Sequence, residues 1–137
     1  MEKYFSILLA LITVMLSFVV YAEDGEGTPS KAIYYAIPEP FTINFLNQSR
    51  QKVRYLQIKV SLKSTDADAI KGAKQNLPMI QDALLDLFSD QSYDQANSIE
   101  GRILLQQDTL KTIQAILKEE TDNDAIDAVY FTSFILQ

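Results

Sequence analysis

The chain has 137 residues, with 12 basic and 18 acidic side chains and a formal net charge of −6 at pH 7, so nucleic acid or an anionic membrane surface would meet like charge. It contains neither Cys nor His, which excludes a disulfide framework and a thiolate nucleophile, and removes the commonest metal ligand and neutral-pH general base. One compact domain is all that this length holds once an N-terminal targeting segment is set aside.

Residues 5–22, F-S-I-L-L-A-L-I-T-V-M-L-S-F-V-V-Y-A, form an unbroken run of apolar and small residues that stops at Glu23. Two readings stay open. Val20 and Ala22 fit a signal-peptidase site, and the run is also just long enough to anchor the chain in a bilayer. Lys3 supplies the only flanking positive charge, on the N-terminal side, so either reading exports the remainder. Residues 23–33, opening E-D-G-E-G-T-P-S-K, read as a flexible tether.

The stretch Y-Y-A-I-P-E-P-F-T-I-N-F follows. Pro38 and Pro40 lack backbone donors, which restricts it to an edge strand or an extended arm leading into one. From Phe41 the alternation is clean, with Phe41, Ile43 and Phe45 on one face. After the polar turn N-Q-S-R-Q, residues 53–62 alternate again, with Leu56, Ile58, Val60 and Leu62 inward and Tyr55, Gln57, Lys59 and Ser61 outward. Together they predict a β-hairpin with a longer loop.

Ser64, Thr65 and Asp66 offer N-caps for a helix whose apolar residues Ile70, Ala73, Leu77, Ile80, Leu84, Leu87 and Phe88 recur at three- and four-residue steps. The stripe runs across Pro78 without losing phase, which predicts one long helix kinked at the proline. Asp82 and Asp86 fall on its solvated face. A loop, D-Q-S-Y-D-Q-A-N, leads to Asn97 or Ser98 as the cap of a second helix over residues 99–118. Its main stripe is Ile99, Ile103, Leu110, Ile113 and Leu117, and a weaker one on the far side is Leu105, Thr109, Thr112 and Ile116. That second stripe is either covered by the same domain or presented to a partner. Residues 119–127, E-E-T-D-N-D-A-I-D, lack the glycine and ligand spacing of a calcium loop and read as a solvated turn.

The last nine residues, V-Y-F-T-S-F-I-L-Q, have the β-branched and aromatic content of a strand. Val129, Phe131 and Ile135 fall on one face and Tyr130, Phe134 and Leu136 on the other, which predicts a strand covered on both faces. Counting chain reversals makes it antiparallel to residues 53–62 if the two are neighbours. The expected fold class is α+β, a small antiparallel sheet with a two-helix layer in the order β-β-α-α-β.

No phosphate loop, nucleophile elbow, paired catalytic carboxylates or metal spacing is present, so no cofactor and no enzymatic activity are expected. Five stretches, taken in order, instead resemble the flagellar basal-body-associated FliL family: the proline-bearing arm, R-Y-L-Q-I-K-V-S-L, L-P-M-I-Q-D-A-L-L-D-L, S-I-E-G-R-I-L-L and the terminal V-Y-F-T-S-F-I-L-Q. The resemblance covers residues 34–137. It implies a stomatin-like periplasmic domain tethered to the inner membrane, which assembles with itself and with the stator units at the flagellar basal body and supports torque and swarming. The chain departs from the family at its N-terminus. Members usually carry a cytoplasmic stub before a clear transmembrane helix, whereas here four residues precede the run and a cleavage-like site follows it.

The candidate partner-binding residues are Tyr34, Tyr35, Ile37 and Phe41 of the arm, Lys59 and Lys63 of the hairpin, and Leu105 and Ile116 of the weaker stripe. With Lys52 and Arg54, the two lysines concentrate basic charge in an acidic protein, which an acidic partner surface would complement. The competing reading is an unrelated periplasmic ligand-binding or lytic domain, which requires a concave pocket with convergent polar groups.

Overall fold

The computed structural model describes residues 30–45 and 53–137. The apolar run of residues 5–22, most of the tether and Lys52 lie outside the described residues, and no described helix is long and apolar enough to cross a membrane. The elements are β1 (Ile33–Ala36), β2 (Phe41–Asn44), β3 (Tyr55–Ser64), α1 (Ala67–Gln75), α2 (Leu77–Ser89), α3 (Tyr93–Asn97), α4 (Ile99–Thr121) and β4 (Ala128–Leu136).

Every other strand pairs with β3, and every pairing is antiparallel. Along one edge of β3, β1 covers its C-terminal half, with Ile33 opposite Ser64, and β2 covers its N-terminal half, with Phe41 opposite Ile58. Pro38 and Pro40 occupy the gap between the two short strands, where no ladder donor is needed. Along the other edge runs β4, from Ala128 opposite Lys63 to Leu136 opposite Leu56. The α+β class and the antiparallel final strand stand as the sequence predicts.

Side chains of β3 alternate between the two faces of the sheet. Leu56, Ile58, Val60 and Leu62 are at most 1% exposed and meet the helical layer, where Ile80, Leu84, Phe88, Leu105, Ile113 and Leu117 are buried in the same core. Phe88 stands edge-on to Phe41, with centroids 5.1 Å apart, and to Phe131 at 6.0 Å. Edge-to-face pairs of this kind add about 0.5–1.5 kcal/mol each beyond their burial.

Three sequence expectations are corrected. The predicted kinked helix is two helices, α1 and α2, broken at Asn76, whose side chain and backbone N–H both donate to the Gly72 carbonyl at 3.0 Å and close α1. Pro78 then falls in the first turn of α2, where its missing donor is no loss. The apolar stripe keeps phase across the break because both helices lie on the same sheet face.

The predicted loop before α4 holds the short helix α3. Ser92 accepts from the Gln95 backbone N–H while the Gln95 side chain accepts from the Ser92 N–H, a reciprocal capping box.

The final strand is covered on one face only. Lys59 lies opposite Ser133 and Val60 opposite Phe131, which leaves Thr132 as an extra residue in a β-bulge. The bulge resets the alternation, so Val129 and Phe131 before it and Phe134 and Leu136 after it all turn inward, while Tyr130 and Ile135 remain 40% and 43% exposed. An apolar pattern on both apparent faces is the product of that phase shift.

Candidate partner-binding face

The sheet face turned away from the helices is built by the residues of β3 that alternate with the core. Tyr55, Gln57, Lys59, Ser61 and Lys63 point to it. The β1 register sets Tyr34 beside Lys63, the β4 register sets Tyr130 beside Ser61, and the two tyrosine rings meet across β3 with centroids 6.3 Å apart. At the other end Tyr55, Gln57, Thr42, Ile135 and Gln137 line a shallow depression of about 260 Å³. Tyr34 is 62% exposed and Tyr55 44%, so among the described residues the face offers aromatic surface to water with no helix over it.

Lys59 is exposed and Lys63 half-buried on this face. Among the described residues the ion pairs are Lys111 with Asp108 and Lys118 with Asp122, so neither lysine of the face is held by a carboxylate. Their charge is available to an incoming anion.

The fold thus brings together three of the sequence-predicted residues, Tyr34, Lys59 and Lys63, and separates them from the other five. Tyr35 alternates inward beneath Lys74, whose ammonium lies 5.1 Å from its ring centroid. Ile37 and Phe41 are 4% and 6% exposed within the core. Leu105 is 2% exposed and Ile116 packs half-buried against the same core.

Helix α4 in fact turns Leu105, Thr109, Ile113 and Leu117 inward, at four-residue steps. Thr109 is tolerated there because its hydroxyl donates to the Leu105 carbonyl at 2.6 Å. Ile99 and Ile103, read from the sequence as core, are 74% and 49% exposed. The alternation of residues 53–62 predicts Tyr55 outward, as observed, but nothing local marks it as a site residue. The sequence pattern predicts covered faces for both Tyr130 and Ile135, because the bulge leaves no local signature.

The orientation of α4 is fixed at its start by the S-I-E-G-R stretch. Ser98 caps the helix by accepting from the Gly101 N–H at 2.9 Å, and Arg102 donates through Nε to the Ala96 carbonyl at 3.0 Å while its guanidinium lies over the Phe134 ring. A Cβ on Gly101 would stand 2.0 Å from the Gln95 carbonyl oxygen, so only glycine lets α3 and α4 meet this closely.

The far end of the sheet is tied to the helical layer by a polar cluster. The buried Ser64 hydroxyl accepts from the Asp66 N–H at 2.9 Å and donates to the Ala125 carbonyl. Asp66 caps α1 through the Asp68 and Ala69 N–H groups and accepts from the Asn123 side chain, and these bonds, that from Asn123 foremost, hold its pKa below the usual 3.8. The Lys118 ammonium, 2.8 Å from Asp122, likewise lowers the Asp122 pKa and has its own raised. None of these groups lies on the tyrosine-bearing face.

A family model described as "Flagellar basal body-associated protein FliL" matches residues 34–137, the span from the first exposed tyrosine of β1 to the end of β4. The chain is similar to a flagellar protein FliL of Aquifex aeolicus (strain VF5), 28% identical over 109 residues that make up 80% of this chain and 64% of that protein. It is also similar to the flagellar protein LafL of Vibrio parahaemolyticus, 25% identical over 91 residues, 66% of this chain and 54% of that one. The chain spans less than two thirds of the length of these curated relatives. With the family model matched along the whole described core, from the edge strand through the glycine joint to the bulged last strand, the chain belongs to the FliL family of flagellar basal body-associated proteins.

Proposed function

We propose that this protein is a non-enzymatic accessory of the flagellar motor, held in the periplasm at the basal body, where it associates with stator units and with copies of itself and supports torque and swarming. The observation that carries this reading is the bare sheet face. A chain of net charge −6 leaves Tyr34, Tyr55, Tyr130 and Ile135 open to solvent around Lys59 and Lys63, a mixture of aromatic anchors and uncompensated positive charge suited to an acidic segment of a protein partner. Export of the domain is supported by the apolar run of residues 5–22, with the inner membrane as its anchor point if that run is retained.

The ligand-binding alternative has less to draw on. The cleft between the proline link and α2, about 390 Å³, is lined by Glu39, Pro40, Phe41, Thr42, Pro78, Gln81, Asp82 and Leu85. It brings carboxylates and an amide to an open surface, whereas a small-molecule site encloses most of its ligand.

The test is a strain lacking the protein, complemented with the wild-type chain or with a Lys59→Glu/Lys63→Glu chain. Swimming and swarming should return with the first and fail with the second, although the second folds normally by circular dichroism, and crosslinking to stator protein should be lost in parallel. Full rescue by the charge-reversed chain would remove this face from the function. A C-terminal alkaline phosphatase fusion that is inactive despite good expression would overturn export.

A further inference from the structure

The bare sheet face has an occupant of matching charge within the chain itself. Residues 23–29, E-D-G-E-G-T-P, carry three carboxylates and no basic side chain, and they lead through Ser30 into β1, whose Tyr34 stands beside Lys63 on that face. No strand position that points to the face carries a carboxylate. Neither Lys59 nor Lys63 is ion-paired among the described residues.

The lengths allow segment and face to meet. Lys59 lies four residues from Lys63 along β3, about 13 Å, and residues 23–33 span at most about 38 Å when extended. The first pair of the β1 ladder is Ile33 with Ser64, the last residue of β3, so the chain preceding Ile33 must reverse to reach the face. Gly25, Gly27 and Pro29 are the residue types that turn a chain.

We propose that the acidic tether folds back over the bare face of its own domain, setting Glu23, Asp24 and Glu26 against Lys59 and Lys63, and so covers the surface that the partner uses. The proposal rests on the reading of that face given above and adds its regulation, since partner and tether compete for the same two lysines. Exposed ion pairs are individually weak, yet a segment joined to its site by a few residues is present there at an effective concentration in the millimolar range. Such a contact holds in the free protein and yields to a partner that brings carboxylates together with surface for the tyrosines. The helical side is a poorer site for the tether. Lys71 of α1 stands one turn from Asp68, and Lys74 already lies over the Tyr35 ring.

The absence of cysteine lets thiol pairs be placed cleanly in the full chain. Ala36 is exposed on the bare face opposite Ser61, between the levels of Lys63 and Lys59, whereas Gln75 is exposed at the end of α1 on the helical side. Under mild oxidation, Gly25→Cys/Ala36→Cys should close an intramolecular disulfide about tenfold or more faster than Gly25→Cys/Gln75→Cys, and about 1 M salt, where the Debye length is about 3 Å, should erase most of that difference. Adding Lys59→Glu/Lys63→Glu should abolish the preference for the bare face. Adding Asp24→Lys/Glu26→Lys to that chain should restore it. Equal rates at the two faces, or a preference that survives charge reversal of the lysines, overturn the fold-back, and disulfides that link only separate copies overturn the tether's own domain as its site.

Crosslinking to stator protein, read on the same chains, separates this proposal from the function it rests on. Closing the Gly25→Cys/Ala36→Cys disulfide should block that crosslinking and reduction should restore it; crosslinking undiminished by the closed disulfide overturns the competition. Stator crosslinking that is lost in the Lys59→Glu/Lys63→Glu chain while the thiol preference stays overturns the fold-back and leaves the partner face standing. Stator crosslinking that persists in that chain while the preference is lost overturns the partner face and leaves the tether contact standing.

Discussion

Strand β3 supplies both faces of the sheet, and its two sets of side chains meet opposite fates. Leu56, Ile58, Val60 and Leu62 are sealed under the helices, whereas Tyr55 and Lys59, which alternate with them along the strand, stand in solvent on the face that also carries Tyr34 and Tyr130. The difference teaches that cover, rather than apolar character, assigns energetic weight in this domain. A tyrosine on the bare face is as large as a core phenylalanine and contributes little to folding.

The largest contrast should therefore come from two aromatic truncations. Phe88→Ala empties a fully buried site between Phe41 and Phe131 and should cost about 3–5 kcal/mol, close to the whole margin of a small domain. Tyr130→Ala gives up one tilted ring contact and should cost about 0.5–1 kcal/mol. Urea denaturation measures both, and comparable losses would erase the distinction between the faces.

The same contrast extends to α4. Leu105→Ala should cost about 2–5 kcal/mol, and Ile103→Ala, two residues earlier on the exposed side, about 0.5 kcal/mol or less in the monomer. A reversal of that order would restore the helix face read from the sequence.

Gly101→Ala sharpens the comparison by disturbing what aims the helix. The added methyl meets the Gln95 backbone, not a flexible side chain, so the joint must open at about 1–3 kcal/mol. Near-ultraviolet circular dichroism should report the change through Tyr93, whose ring lies under Arg54 and edge-on to Phe45.

The smallest expected effect is one of pH. Asp66 and Asp122 have folded pKa values below 3.8, so the stability they lend is complete well above 3.8 and is lost as pH falls through their lowered values. Lys118 has the opposite sign, since its raised pKa makes its contribution complete below 10.5 and lost as pH climbs through the folded value. Asp66→Asn should flatten the acid limb of a midpoint-against-pH curve. An unchanged acid limb would remove Asp66 from the attachment of helices to sheet.

How much of this was legible in the sequence depended on whether a pattern was local. The alternation of residues 53–62 gave the faces of β3 correctly, because every side chain there obeys the two-residue period. The phase of β4 was hidden, since a bulge is created by the partner strand and Thr132 bears no mark of it. The break at Asn76 was masked by a stripe that serves two helices on one sheet. Helix α3 does have a readable signal, the S-x-x-Q capping box at Ser92 and Gln95, within the polar stretch that otherwise predicts a loop. On α4, Thr109 disguised the buried stripe by placing a hydroxyl in the core and returning it to the Leu105 carbonyl. The bare face was partly legible: Lys59 and Lys63 could be read outward, while the meeting of Tyr34 with Tyr130 required the registers of two strands that never pair.

The placement of Ile33 and Gln137 has a mechanical consequence. Ile33 lies opposite Ser64 at one end of β3, and Gln137 is bonded to Tyr55 at the other. A pull between these two points therefore runs along the strands, drawing β1 one way and β4 the other past a stationary β3. Both ladders are loaded in shear, so their hydrogen bonds share the force and must yield together, whereas a pull across the strands would part them one at a time. A pull applied at these two ends would therefore meet the sheet in the direction in which it resists extension best.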